Sequence, residues 1–154
     1  MALYGEAVPT RWWDPEVGDD IDWVGWANAL PYCRELGLVC LALEAHSAVS
    51  IMDCSTLTPN PNGAVNGGTV AAAADQVMGA ITRRQNVDGL PATGSLQFQF
   101  HLPAMAPITF RATTLGGRRT KFIEVVVEDH NRDRCATSQG TMIVGGSSRG
   151  PKTE

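Results

Sequence analysis

A chain of 154 residues has the length of one compact domain with room for a sizeable core. Its 44% hydrophobic and 18% charged residues are an ordinary globular composition, and a net charge of −4 argues against general nucleic-acid binding. No apolar run reaches the roughly 18 residues of a membrane span, and "MALYGEAVPTRWWDPE" lacks the basic start and apolar stretch of a secretion signal. The expectation is a cytoplasmic protein whose cysteines, Cys33, Cys40, Cys54 and Cys135, have no CxxC spacing and stay as reduced, partly buried thiols. Charge is spread unevenly: residues 1–60 carry nine acids and two bases, residues 101–154 five acids and eight bases. Such runs ordinarily form solvated faces; the sharper reading is an anion site built from the second half.

In chain order, residues 1–20 read as an extended arm, broken by Pro9, Pro15 and Gly18. Trp12, Trp13, Trp23 and Trp26 lie close together in the sequence and are expected to anchor the segment to the body of the fold. "DIDWVGWANALPYCRELG" predicts a helix from Asp22 to Arg34, despite Pro31, with Gly37 as its stop. "LVCLALEAHSAVSIMDC" predicts two strands with a tight connection at Glu44–Ser47. "TLTPNPNG" is turn chemistry. After Gly89, "ATGSLQFQFHLPA", "APITFRATTLGG", "RRTKFIEVVVEDHNRDR" and "CATSQGTMIVGG" predict three or four long antiparallel strands. Hairpin turns are expected at Gly116–Gly117 and Asn131–Asp133. The pattern is α+β, with residues 1–35 as arm and helix, 36–145 as the main domain and 146–154 as a polar tail.

Between these blocks lies "NPNGAVNGGTVAAAADQVMGAITRR", residues 60–84. From Gly68 to Thr82 only Thr69, Asp75, Gln76 and Thr82 are polar, which predicts a buried helix wrapped by the later strands. A carboxylate there needs a partner or a role. It is either hydrogen-bonded at a helix seam or placed beside a space. Ala71, Ala72 and Gly79, three or four positions from Asp75, favour the space. Asn66-Gly67-Gly68 is either a tight turn or an oxyanion-binding helix start with exposed N–H groups. Gly67 and Asp75 are about 12 Å apart along the helix, too far to meet one reacting atom within ~3 Å. Two antiparallel copies across a two-fold axis would bring one chain's Asp75 to the other's helix start, which predicts a dimer with two equivalent sites.

Asn60, Gly63, Asn66-Gly67-Gly68 and Asp75 resemble the Asn-x-x-Gly-x-x-His-Gly-Gly motif, with Asp seven residues on, of the hot-dog-fold acyl-CoA thioesterases. Within the 4-hydroxybenzoyl-CoA thioesterase superfamily the likeness is to the phenylacetate-pathway (PaaI-like) branch. It continues through "LQFQFHLPA", "GGRRTKFIEVVV" and "CATSQGTMIV" and spans residues 36–145. The resemblance implies a hot-dog fold, a long helix wrapped by an antiparallel sheet, in homodimers or homotetramers. It implies hydrolysis of an acyl-CoA thioester at the dimer interface, with no metal and no organic cofactor. Asp75 would be general base or nucleophile, and the Gly67 N–H of the other chain would polarise the carbonyl. Asn60 would position water or the carbonyl, and the Thr93 hydroxyl would help hold the water. Asn66 and Gly68 would line the substrate, and Arg118, Arg119 and Lys121, after a Gly-Gly turn, would meet CoA phosphates or form a solvated hairpin end. The family's His is Asn66 here, which can donate a hydrogen bond but carries no charge at neutral pH. That departure keeps a non-catalytic acyl-CoA-binding protein as the alternative. A hydratase ranks last, because no His lies on or just before the helix. Arg83 and Arg84 serve the helix dipole. "GSSRG" at residues 146–150 has no helix after it to form an esterase elbow, and His46, His101 and His130 fit no metal spacing.

Overall fold

In a computed structural model, described over residues 20–53, 60–87 and 89–147, the elements run α1 (Trp23–Ala29), α2 (Pro31–Leu36), β1 (Leu38–Leu43), β2 (Ser47–Met52), α3 (Gly67–Gln85), β3 (Gly89–Phe100), β4 (Ile108–Gly116), β5 (Thr120–Glu128) and β6 (Arg134–Ser147). The expected arm with Trp12 and Trp13, the turn residues 54–59 with Cys54, and the tail from residue 148 lie outside the described residues. The strand β6 runs on to Ser147, two residues into the expected tail, because it pairs there with the start of β3.

The predicted single helix at Asp22–Arg34 is two helices. Pro31 disfavours the helical conformation for the residue before it and brings no N–H. Leu30 is accordingly extended (ψ 124°), and Pro31 starts α2 at a position that suits it. The helix α2 stops at Gly37 in the left-handed conformation (φ 67°), as expected.

All six strands form one antiparallel sheet in the order β1-β2-β4-β5-β6-β3. The helix α3 lies on one face. Val70, Ala73, Ala74, Val77, Met78 and Ile81 are buried on it, against Ile108, Phe110, Ile123, Val125, Val127, Ala136 and Met142 of the sheet. On β4, β5 and β6 the strand period of two puts every second residue into this core. Gly140 permits close approach: a Cβ there would stand 2.6 Å from the Met78 sulfur and 3.0 Å from the Ser95 carbonyl oxygen.

The two edges of the sheet differ. At β1, the Asn28 side chain of α1 accepts from the Cys40 N–H (2.8 Å) and donates to the Cys40 carbonyl (3.1 Å). That clamps α1 to the strand and occupies its edge groups. The strand β3 is twelve residues long and mostly exposed, with a row of backbone groups unpaired among the described residues.

Candidate active site at the uncovered stripe of α3

The loop into α3 is built by Asn60. Its Oδ1 accepts from the N–H groups of Asn62 (2.9 Å) and Ala64 (3.1 Å), an Asx turn. Gly63 completes it at φ +76°. Val65 N–H then donates to the Ala104 carbonyl (2.8 Å) and ties the loop to the body of the fold.

Asn66 is the N-cap of α3, its Oδ1 accepting from Gly68 N–H at 2.8 Å. Gly68 N–H is therefore occupied. Gly67 N–H has no acceptor among the described residues, and it sits at the positive end of a 19-residue helix. The Phe100 ring covers Gly67: a Cβ at that position would lie 3.2 Å from Cζ.

Two turns along, Asp75 departs from the expectation of a helix buried on every side. The sheet covers one side of α3, while Ala71, Ala72, Asp75, Gln76 and Gly79 form a half-exposed stripe. Ala and Gly score as apolar in a sequence yet tolerate water, so composition overstates the burial. A Cβ at Gly79 would meet nothing within 4 Å. The small residues leave space, as predicted.

Thr93 on β3 donates its hydroxyl proton to Asp75 Oδ1 at 2.6 Å. Thr93 reaches the helix side through a bulge. Leu96, Phe98 and Phe100 lie opposite Gly140, Ser138 and Ala136 on that side, so strict alternation would turn Thr93 outward. The register shifts between Thr93 and Ser95, placing Thr93 opposite Met142 and Ser95 opposite Thr141. Ser95 then bonds Thr141 on the outer face, hydroxyl to hydroxyl at 2.8 Å.

Beside this pair opens a pocket of about 260 Å³, lined by Asp75, Thr93, Gln76, Gly79, Arg83 and Met142, with Leu90 and Pro91 on the strand side and Trp26 and Leu30 from the α1–α2 corner. Of these, Trp26, Leu30, Gln76, Leu90, Pro91 and Met142 were not anticipated from the sequence. Only Gln76 carried a signal there, as one of the few polar residues on α3. Arg83, assigned to the helix dipole, is buried. Its guanidinium donates to the carbonyls of Asn86 (3.1 Å), Val87 and Gly89 (3.0 Å), capping the helix end and the turn after it.

The chain thus brings Asp75 and Thr93 together but leaves Asn60, Asn66 and Gly67 at the far end of the stripe. Arg118 and Arg119 are exposed at the β4–β5 turn, and Lys121 Nζ donates to the Gly117 carbonyl (3.0 Å). Lys121, Met142 and Thr93 occupy one row across three strands, so this basic tip lies roughly 10 Å from Thr93 at about 4.8 Å per strand. His46 contacts Gln85 (3.2 Å) and His101 contacts Thr137 (3.0 Å), both away from Asp75. Among the described residues no cluster of His, Cys, Asp or Glu could hold a metal, and no helix is long and apolar enough to cross a membrane.

Residues 62–136 match the family model described as the Thioesterase superfamily. Solved structures with the same arrangement of helix and sheet include the E. coli PaaI protein from the phenylacetic acid degradation operon. It is 18% identical, with a TM-score of 0.68, over 75% of this chain and 84% of that one. The chain has a hot-dog fold, and its residues 62–136 are similar to the thioesterase superfamily. Two further hot-dog structures are similar. One is smu.793 from Streptococcus mutans bound to acetyl CoA (17% identity, TM-score 0.65, 73% and 91% of the two chains). The other is thioesterase HI1161 from Haemophilus influenzae (19%, TM-score 0.68, 74% and 82%). No curated protein matches the sequence. The hot-dog core here is the sheet with α3; α1 and α2 precede the family match and add the Trp26 wall of the pocket.

Cys33, Cys40 and Cys135 are free and buried. Burial, with the nearby Cys40 as a second cause, pushes the Cys33 thiol up to about 11 from 9.0; burial also raises Cys40 and Cys135. The folded state holds the Cys33 proton more tightly than the unfolded state. Its contribution to stability is therefore complete below pH 9 and is lost as the pH climbs to about 11. Cys33→Ala is expected to flatten the fall of denaturation midpoint with pH across that window, measured by urea titration at a series of pH values.

Proposed function

We propose that the protein hydrolyses an acyl-CoA thioester to free acid and CoA at two equivalent sites of a homodimer. The observation that carries this reading is the Asp75–Thr93 pair, held at 2.6 Å beside an apolar pocket in a domain of thioesterase fold. Asp75 takes a proton from a water that attacks the carbonyl carbon, or attacks that carbon itself to give an anhydride that water then opens. In either course the C–S bond breaks, and CoA leaves as thiolate and takes up a proton. The Thr93 hydroxyl holds Oδ1 and leaves Oδ2 for the chemistry.

Charge developing on the carbonyl oxygen needs donors. The Gly67 N–H of the partner subunit is the candidate, since within one chain Gly67 is two helical turns from Asp75. The surface beside the site supports a second copy. The strand β3 offers an edge unpaired among the described residues, and next to it Leu96 and Phe100 are 36% and 45% exposed on the helix side. Asn60 shapes the loop, Asn66 caps the helix, and Arg118, Arg119 and Lys121 meet the CoA phosphates. A dimer of dimers is the further assembly expected.

Asn66 in the family's His position favours a second reading, acyl-CoA binding without turnover. Release of CoA thiol from a panel of aromatic and medium-chain acyl-CoAs separates the two; binding with no thiol release across the panel would select the binding protein. Thr93→Val is expected to lower kcat about tenfold or more, as loss of a hydrogen bond to a charged group costs ~1.5–3 kcal/mol. Thr93→Ser should retain most of the rate.

A further inference from the structure

Gly79 is a glycine that the packing of one chain does not require. It lies well inside α3, where glycine weakens a helix relative to alanine. Its backbone is helical, so no left-handed conformation calls for it. A close approach would account for it, as at Gly140, where a Cβ would collide with Met78. Among the described residues there is none: a Cβ at Gly79 would meet nothing within 4 Å. The space it leaves has walls. It belongs to the pocket beside Asp75, flanked by Trp26 and Leu30 from the α1–α2 corner and by Leu90 and Pro91 from β3. Ala71 and Ala72, on the same stripe of α3, lie outside that pocket. Gly79 follows Asp75 by one helical turn on the same face, roughly 6 Å along the axis at ~1.5 Å per residue.

We propose that Gly79 is a specificity-determining residue, its bare backbone reserving width beside Asp75 for the acyl group of the substrate. The inference rests on the acyl-CoA reading above and names its substrate class. That class is an apolar acyl group that is thick from its first carbons, branched or cyclic, in preference to a straight chain of equal carbon count. An acyl group whose carbonyl carbon meets Asp75 crosses Gly79 within a few bonds, and any side chain there would take up width at that point. The volume fits: a cavity of about 150 Å³ holds benzene, and about 260 Å³ takes a ring together with its carbonyl. Leu30, Leu90, Pro91 and Met142 give such a group apolar contact. Arg83, also in the lining, turns its guanidinium to the carbonyls of Asn86 and Gly89. The helix thus gives up some stability to keep the room, a trade found where activity and stability compete.

The test uses two pairs of acyl-CoAs matched in carbon count: tert-butylacetyl against hexanoyl, and cyclohexanecarbonyl against heptanoyl. The native protein is expected to favour the thick member of at least one pair in kcat/KM. Gly79→Val should lower that preference by about tenfold or more, since one methylene in an apolar pocket is worth about 10–200-fold. Gly79→Ala, whose Cβ has room within the chain, should shift the preference the same way while raising the melting temperature by about 2–4 °C. A second measurement does not depend on turnover. In the Asp75→Asn protein, calorimetric binding of the same four acyl-CoAs should lose the same preference when Gly79→Val is added. Hydrolysis with the preference unchanged by Gly79→Val, or with the straight chain favoured in both pairs by the native protein, would overturn the Gly79 proposal and leave the hydrolase reading standing. So would a Gly79→Val protein that loses its partner subunit, because the space would then belong to that subunit. A loss of binding preference with no hydrolysis by the native protein would do the reverse.

Discussion

Asp75→Asn is expected to lower kcat for acyl-CoA hydrolysis by about 10³-fold, within the range lost when a positioned acid or base is removed. The amide has the shape of the carboxylate and can still accept the Thr93 proton at Oδ1. The pair observed at 2.6 Å therefore has a neutral counterpart. What the amide lacks is a basic or nucleophilic oxygen. Because Asp75 sits on the uncovered stripe and not in the core, the melting temperature and the oligomer should change little. Purified Asn and Ala variants, assayed for thiol release and sized by sedimentation, check both halves. Turnover near wild type in either one would remove Asp75 from the reaction.

The second large effect concerns the assignment of one site to two chains. Gly67→Pro deletes the N–H of the first helical residue, a position where α-helices tolerate proline. Loss of an oxyanion donor costs about 10²–10³ in kcat. Gly67→Ala keeps the N–H while placing the same Cβ against Phe100, so it controls for the 3.2 Å contact. Asp75→Asn and Gly67→Pro proteins are each expected to be nearly inactive. Unfolded together and refolded in equal amounts, about half of the dimers pair one of each, and each such dimer contains one site with both native groups. Activity should return to about a quarter of wild type. No recovery, with mixed dimers demonstrated by mass, would place the oxyanion donor elsewhere.

Much of this architecture was legible in the residues. Turn chemistry at Gly116–Gly117 and Asn131–Asp133 marked the hairpins that join β4, β5 and β6. The run from Gly68 to Thr82 marked the helix, and the motif from Asn60 to Asp75 marked the resemblance to the thioesterases. Apart from one local effect at Pro31, what stayed hidden depended on packing between segments far apart in sequence. The break at Leu30 follows from Pro31, whose effect on the preceding residue outweighs the helical pattern on either side. The helix as a whole read as buried on nearly every side because hydropathy cannot tell an apolar residue under a sheet from a small one left open. The wall at Trp26 and Leu30 was invisible because it forms only when α1 folds back onto β1, an arrangement set by Asn28. The side on which Thr93 lies depended on one unpaired residue at Gly94, and an isolated glycine in a strand was its only sign.

That single residue makes the partner of Asp75 a matter of parity. Deleting Gly94 would let β3 alternate without interruption, and every side chain upstream of the deletion would trade inside for outside. The Thr93 hydroxyl would leave the carboxylate, Ala92 would come to face α3, and the stretch from Leu96 to Phe100 would keep its neighbours. Insertions and deletions in edge strands are ordinarily absorbed at their ends. In this protein, one such event mid-strand would part Thr93 from Asp75 while leaving the outline of the molecule intact.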